Sequence, residues 1–400
     1  MERFDSDWGP AQVISRADLS RLVAALEQRG YAVIGPRVSD GAVICAPIHR
    51  ADDLPVGVRE EQEGGRYRLI ATPGDPAVFA HTVGPQTWKR YLYPPRQRLF
   101  QAKSTGGSFR VEAEPPPEAP YAFFGVRACD LQAMAAHDVV FGVAPPAAAA
   151  TASGTRYTDS GYRRRRAAAF VVAVQCGQAG GTCFCVSQNA GPRAESGFDL
   201  ALTEILEGEH RFLMEIGSDR GAEVVAGLSL SPASTADRAA AEAATARAVA
   251  GMGRSLPGDT PARLKKNLQS SHWNTVGQRC LNCANCTMVC PTCFCSSVED
   301  TTDLAGQTAE RWRRWDSCFT LDFSYIHGGS LRQEGGSRYR QWISHKLAHW
   351  HDQFGTSGCT GCGRCITWCP VGIDITAEVA ALDPAGDTTA GQSCHGEGEN

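Results

Sequence analysis

The chain has 400 residues, of which 42% are hydrophobic, and its formal net charge is −4. A chain of this length can form two or three domains with substantial cores, and a charge this close to neutral argues against a surface built for nucleic acid or anionic lipid. The N-terminus lacks the apolar segment of a secretory signal, and the longest apolar run, AAAFVVAV at 167–174, is too short to span a bilayer. We therefore expect a cytoplasmic protein that has no membrane span and binds no nucleic acid.

Residues 1–265 have the pattern of a mixed α/β domain. The segment SRADLSRLVAALEQRG at 15–30 spaces its apolar residues as an amphipathic helix does. The short apolar runs YAVIGP, YAFFGV and FVVAVQC are typical of buried strands. The Ala-rich segment 235–253 predicts a further helix by its intrinsic propensity, and the Ala/Pro-rich stretch 143–155 predicts a surface loop.

Seventeen cysteines occur in the chain, and most of them stand in tight groups. Without a secretory signal, such groups favour thiolate ligands of a metal over disulfides. In the α/β half, Cys129 and Cys176 each follow a predicted buried strand, and the carboxyl ends of strands in open α/β sheets are where ligands bind. Cys183 and Cys185 lie on a Gly-flanked loop just beyond. These four thiols predict a third [4Fe-4S] site, with buried or free cysteines as the alternative that the residues alone leave open.

The strongest motif in the chain occurs twice, as CLNCANCTMVCP at 280–291 and CTGCGRCITWCP at 359–370. Both copies fit C-x2-C-x2-C-x3-C-P, the pattern that holds [4Fe-4S] clusters in bacterial-type ferredoxins, in which the fourth cysteine ligates the other cluster. The predicted ligand sets are therefore Cys280, Cys283, Cys286 and Cys369 for the first cluster, and Cys359, Cys362, Cys365 and Cys290 for the second. Structural zinc is the alternative, but zinc sites favour two separated cysteine pairs.

Residues 266–382 are thus predicted to form a ferredoxin-like domain with two [4Fe-4S] clusters. The long insertion between its motifs contains SRYRQWISHKLAHWHDQFG at 337–355, which predicts an amphipathic helix. Three further thiols, Cys293, Cys295 and Cys318, have no assigned role; packing is the favoured interpretation and another metal site the alternative. Residues 383–400 are polar and Gly-rich, which predicts a disordered tail.

Several segments resemble a known family: GVRACDLQAM, GGTCFCVSQNAGP, CTMVCPTCFCSSVED and GCGRCITWCPVGIDIT. They are similar to the beta subunit of cytoplasmic NAD(P)-linked [NiFe] hydrogenases, also called sulfhydrogenases, and to the homologous electron-transfer subunit of anaerobic sulfite reductase. Where such proteins usually read GVRPCD, this chain has Ala128 before Cys129. The resemblance supports the third cluster. It also implies an electron-carrying subunit between a flavin subunit that handles NAD(P) and the small and large subunits of the hydrogenase.

The residues themselves indicate no catalytic site. No G-x-G-x-x-G follows a strand and opens a helix, so we expect the chain to bind neither FAD nor NAD(P). Clusters without a substrate pocket transfer single electrons. The leading hypothesis is a non-catalytic electron-transfer subunit of a hydrogenase. The alternatives are a non-redox binding module stabilised by metal and the corresponding subunit of a sulfite reductase.

Overall fold

The computed structural model describes residues 4–115, 117–144 and 157–383. Most of the predicted loop at 143–155 and the predicted disordered tail, apart from Asp383, lie outside these ranges. In the described ranges, no helix is both long and apolar enough to cross a membrane.

Strands and helices are interspersed through the first half, and short helices predominate in the second. The strands are β1 Gln12–Ser15, β2 Ala32–Ser39, β3 Ala42–Pro47, β4 Val58–Glu63, β5 Arg66–Ala71, β6 Arg96–Ser104, β7 Phe109–Ala113, β8 Tyr121–Val126, β9 Phe170–Val174, β10 Leu200–Ile205, β11 Arg211–Ile216, β12 Ser231–Pro232, β13 Ser296–Thr302, β14 Thr308–Trp315, β15 Tyr325–Ile326 and β16 Gly329–Ser330. The helices are α1 Leu19–Gln28, α2 Lys89–Leu92, α3 Ala128–Val140, α4 Ser160–Ala168, α5 Asp219–Val225, α6 Thr235–Ala250, α7 Thr260–Lys266, α8 His272–Arg279, α9 Asn285–Met288, α10 Gly335–Ser344, α11 Trp350–Phe354, α12 Arg364–Thr367 and α13 Ile375–Ala380.

An eight-stranded mixed sheet forms the centre of the first half, in the order β12-β1-β11-β10-β9-β8-β2-β3. The inner strands β10, β9, β8 and β2 are parallel, and the flanking pairs are antiparallel. Every residue of β9 is buried, as expected for an apolar strand covered on both faces. Because β8 and β9 are parallel neighbours, their carboxyl ends lie at the same edge of the sheet.

Both helices predicted in this half are confirmed, with shorter bounds. The predicted helix at 15–30 is α1, which buries Leu19, Leu22 and Leu26 in the core of the sheet. The Ala-rich segment is α6. It begins after Ser234, whose hydroxyl accepts from the backbone N–H of Asp237 while the Asp237 carboxylate accepts from the Ser234 N–H. This reciprocal capping satisfies two donors at the helix start.

A second sheet connects distant parts of the chain. Its order is β13-β14-β6-β7, so the hairpin that follows the first cysteine motif pairs with strands from the first half. The domain boundary at residues 265 and 266 remains a prediction, and this hydrogen-bond ladder crosses it. The segment between the two cysteine motifs was predicted to be helical. Its first part instead forms strands β13 and β14. Its later part contains α10, a π-helical turn at His345–His349 and α11 over the segment predicted as one helix.

The second half has its own core, and cysteines border it. Trp273, Phe319, Trp342, Ile366 and Ile375 are buried there. Seven cysteine side chains pack against this core: Cys280, Cys286, Cys293, Cys318, Cys359, Cys365 and Cys369. Five of the eight positions that the motifs predict as metal ligands thus lie against apolar side chains of this core.

Candidate metal centres

The first cysteine motif forms a tight loop between two short helices. Helix α8 ends at Arg279, and α9 begins at Asn285. Between them, Asn282 and Ala284 adopt left-handed backbone conformations with φ of 52° and 65°. The backbone N–H of Asn282 points at Cys280 Sγ, 3.5 Å away. This loop therefore curves around its thiols and directs an amide donor at one of them.

A cavity lies inside this loop. The four thiols predicted for the first cluster all line it: Cys280, Cys283, Cys286 and Cys369. Cys369 comes from the second motif, and its Sγ accepts a hydrogen bond from the backbone N–H of Ile373 at 3.3 Å. Phe319 and Trp342 form part of the apolar wall. Four thiols from both motifs around a cavity with apolar walls fit a [4Fe-4S] cluster.

The second group contains Cys359, Cys362, Cys365 and Cys290. Burial raises the pKa of the Cys365 thiol, and the neighbouring charges of Cys359, Cys362 and Cys290 raise it further. Cys290 in turn is among the groups that raise the pKa of Cys359. The structure thus brings the fourth cysteine of the first motif to the first three of the second, as in the predicted crossover. Cys365 also lines the first cavity, so the two groups are neighbours.

The third group gathers at the carboxyl edge of the central sheet. Cys129 lies in the first turn of α3, after β8, and Cys176 follows β9. Burial raises the pKa of Cys183 to about 12, with Cys176 the next largest contribution. Burial and the neighbouring charges of Cys176 and Cys183 raise the pKa of Cys185, and Cys129 belongs to the same buried cluster as Cys185. The four thiols predicted for the third cluster are therefore grouped together.

Two glycines allow the second and third groups to approach each other. Gly361 has φ +64°, and a Cβ there would lie 2.6 Å from the backbone of Cys185; a Cβ on Gly363, with φ +76°, would overlap the carbonyl oxygen of Thr182. The backbone N–H of Phe184 donates to Gly361 O at 2.8 Å. Only glycine tolerates both the conformation and the contact. Cys362 consequently packs with Cys129 and Cys185.

Buried cations accompany the thiols, and sequence reasoning missed them. The ammonium of Lys346, 5% exposed, donates to Cys290 Sγ at 3.3 Å. Lys89, 6% exposed, donates to the carbonyl oxygens of Cys290 and Cys293. Near the third group, the buried Arg127 lies 3.9 Å from Cys176 Sγ. Cations at these positions offset the negative charge that thiolates and clusters carry.

The spacing of the thiols differs from that of a single-ion site. In the described part of the chain, no three His, Cys, Asp or Glu side chains are close enough to hold one metal ion. Zinc would require its four sulfurs at about 2.3 Å from one centre. A cubane places each cysteine on a different corner iron and so requires wider spacing. Among the described residues, the thiols are therefore not arranged as a preformed single-ion site.

The remaining cysteines lie apart from these three groups or at their margin. Cys45 is in β3, and burial raises its pKa to about 12. Cys394 lies outside the described residues. Cys293 and Cys318 pack against the second core, and Cys293 also lies beside Cys290 of the second group.

Comparison with known proteins agrees with this geometry. The paired motifs place the chain among ferredoxin-like iron–sulfur proteins, and residues 279–373 match the family described as a 4Fe-4S dicluster domain. Over 310 residues the chain is 31% identical to the sulfhydrogenase 2 subunit beta of Pyrococcus furiosus, in an alignment that covers 76% of this chain and 84% of that protein. The chain belongs to the family of sulfhydrogenase beta subunits. No solved structure matches it significantly.

Proposed function

We propose that this protein is the iron–sulfur electron-transfer subunit of a heteromeric NAD(P)-linked [NiFe] hydrogenase. Its partners are a flavin subunit that handles NAD(P) and the small and large hydrogenase subunits, in the cytoplasm. The relative in P. furiosus is named as a sulfhydrogenase subunit, which favours the hydrogenase over the sulfite reductase alternative. The chain itself has no active site in this proposal.

The observation that carries the proposal is the serial arrangement of the three thiol groups. Cys365 borders both the first cavity and the second group. Cys362 belongs to the second group and packs against two thiols of the third. Three [4Fe-4S] clusters held by these groups would lie side by side. Bound clusters accept and release single electrons, and the residues of this chain hold them in sequence and exclude water.

The first group stands at one end of this series, and that end reaches the protein surface. Cys283 is exposed, and the adjacent Leu281 and Val371 are exposed apolar side chains, 61% and 42% accessible. Exposed apolar side chains beside a cluster suit contact with another protein chain. We propose that one partner subunit exchanges electrons here. In this proposal the inserted segment with α10 is part of the same ferredoxin-like domain, and the place of Trp342 in the cavity wall supports this.

Replacement of Cys183 by Ser tests the third site separately from the other two. We expect the anaerobically prepared variant to lose about four irons, since each cubane holds four, while the EPR signals of the pair at 280–370 persist. In the assembled complex, NAD(P)H-dependent hydrogen production should fall at least tenfold. Cys45→Ser is the matched control and should retain iron and activity. An unchanged iron content in Cys183→Ser would contradict the third site.

A further inference from the structure

Two polar atoms in the wall of the first cavity have no partner. The side chains of Tyr339 and Trp342 are 3% and 4% exposed, and both line the cavity inside the first cysteine loop. No described residue offers a hydrogen-bond partner to Tyr339 Oη or Trp342 Nε1, and this includes the cysteine sulfurs. A buried donor that stays unpaired costs free energy, so native proteins rarely keep one.

Helix α10 brings both side chains to the cavity. Tyr339 and Trp342 are three residues apart on this helix, so they share one face of it. Phe319 lies against that face, and the three rings contact one another edge to face, with centroids 5.3–6.3 Å apart. These contacts fix the orientation of the rings, and they leave the hydroxyl and the indole N–H without an acceptor.

The position of α10 is fixed close to the first cysteine loop. Its Gly336 packs on α8, the helix that leads into the first motif, and a Cβ on Gly336 would lie 2.4 Å from Trp273 O. The guanidinium of Arg338 donates to Phe319 O at 2.8 Å. Packing and backbone contacts therefore hold the two donors at the cavity before anything is bound there, as is typical of residues that orient a bound group.

The remaining source of an acceptor is the group that occupies the cavity. The four thiols predicted for the first cluster line the same cavity as Tyr339 and Trp342, and they fit a [4Fe-4S] cluster. The sulfurs of such a cluster accept hydrogen bonds. A tyrosine hydroxyl and an indole N–H are both able to donate them.

We propose that Tyr339 and Trp342 each donate a hydrogen bond to a sulfur of the first cluster and thereby raise its reduction potential. The proposal rests on the first cluster of the proposed function, and neither residue is a ligand of the iron. Hydrogen bonds to cluster sulfurs stabilise the reduced form, which has one more negative charge. Because the first group stands at the surface end of the series, these two side chains would set the potential at which electrons pass to or from the partner chain.

The substitution Tyr339→Phe removes the hydroxyl and leaves the ring in place. In an EPR-monitored redox titration of the anaerobic full chain, we expect one cluster midpoint to fall while the others stay. At a fixed potential, the ratio of reduced to oxidised first cluster should drop roughly three- to tenfold, the range of one neutral hydrogen bond; tenfold corresponds to about 59 mV for one electron. The control is Tyr162→Phe, since the buried Tyr162 donates to Asp138 Oδ1 at 2.8 Å. It should leave every midpoint unchanged.

The substitution Trp342→Phe removes the second donor, and Trp273→Phe controls for the lost volume. Trp273 is buried in the same core, and its indole N–H donates to Asn267 O at 2.7 Å. We expect the midpoint of the first cluster to fall in Trp342→Phe by an amount similar to that in Tyr339→Phe, and to stay close to the wild-type value in Trp273→Phe. The iron content of both variants should match that of the wild type.

Unchanged midpoints in Tyr339→Phe and Trp342→Phe at full iron content would overturn the proposal. If these variants lose the first cluster, the wild type decides. Tryptophan labelled with ¹⁵N at the indole nitrogen should then show a ¹⁵N coupling to the reduced first cluster in pulse EPR, and the absence of this coupling would also overturn the proposal. A failure of the proposed function would look different, because the wild type itself would lack iron.

Discussion

At the scale of single residues, the lysine beside Cys290 has the clearest functional consequence. The ammonium of Lys346 donates to Cys290 Sγ, to Thr292 Oγ1 at 2.7 Å and to Gly358 O at 2.9 Å. Burial opposes its charge, but the neighbouring thiols outweigh burial and raise the pKa of Lys346 above its ordinary value. A fixed positive charge next to a cluster ligand stabilises the reduced cluster, which has one more negative charge.

We expect Lys346→Met to lower the midpoint potential of the second cluster by roughly 60 mV or more. A hydrogen bond from a charged group contributes about 1.5–3 kcal/mol, and about 1.4 kcal/mol corresponds to 59 mV for one electron. The measurement is an EPR-monitored redox titration of the anaerobic protein. The matched control is Lys265→Met, which removes a half-exposed lysine paired with Asp352. Equal midpoint potentials of the second cluster in Lys346→Met and Lys265→Met would exclude the proposed role of Lys346.

A buried ion pair joins the second motif to the helix that carries Cys129. The guanidinium of Arg364 forms two hydrogen bonds with the Asp130 carboxylate, at 2.8 and 3.0 Å, and both side chains are almost fully buried. Removing one partner of a buried pair leaves an uncompensated charge. This contact therefore stabilises the approach of the second and third groups.

We expect Asp130→Ala to destabilise the folded chain by about 3–5 kcal/mol. The half-exposed pair between Arg311 and Asp300 provides the control: Asp300→Ala should cost less than about 1 kcal/mol. Anaerobic denaturant unfolding measures both. Similar shifts of the unfolding midpoint in the two variants would show that the buried ion pair stabilises the chain no more than the exposed one does.

Spacing alone predicted the cysteines of the two ferredoxin-type motifs, whereas nothing in the sequence marks the lysines beside them. A C-x2-C-x2-C loop is a local feature, so its ligands can be recognised from intervals. Lys89 and Lys346 are 257 residues apart by their numbers, and each is buried only because the tertiary fold places it against the Cys290 loop. Burial of a long cationic side chain depends on packing between distant elements, which a single sequence does not display.

At the scale of elements, the parallel neighbours β8 and β9 explain the third group. The sequence predicted both strands and placed a thiol after each, and the structure makes the strands adjacent. The hairpin β13–β14 was not predicted, because its strands are completed by β6, some 200 residues earlier in the chain. Local patterning therefore found the strands with apolar runs and missed those whose partner is remote.

A hairpin turn covers the loop that carries Cys369. Strands β4 and β5 are joined by Gly64 and Gly65, and the backbone N–H of Gly65 donates to Ile366 O at 3.1 Å. Gly65 has φ +73°, and a Cβ there would lie 2.9 Å from Cys369 O. The turn therefore covers one side of the proposed first cluster site, where it would limit the access of water and oxygen.

We expect Gly65→Ala to speed loss of the first cluster in air severalfold, because the added methyl displaces the turn from Cys369. The control is Gly106→Ala: Gly106 has a similar φ of +77° but no atom within 4 Å of the added Cβ. Absorbance and EPR decay after exposure to air compare the two. Equal decay rates would mean that the turn does not protect the cluster.

At the scale of the whole molecule, the proposed electron path runs through both halves. The third group lies on the central sheet of the first half, the other two lie in the second half, and the contacts of Cys362 connect them. The sheet that pairs β14 with β6 holds the halves together from another side. Relative motion of the halves would lengthen the distance between clusters, so a rigid connection suits a chain that transfers electrons.

The central claim is that these cysteines hold iron–sulfur clusters that carry electrons, while catalysis occurs on partner subunits. Its most direct test is EPR spin quantification together with iron analysis of the isolated chain, kept anaerobic and reduced with dithionite. We predict at least about twelve irons per chain and interacting signals from reduced [4Fe-4S] clusters. A colourless chain without iron, or one that contains only zinc, would contradict the account.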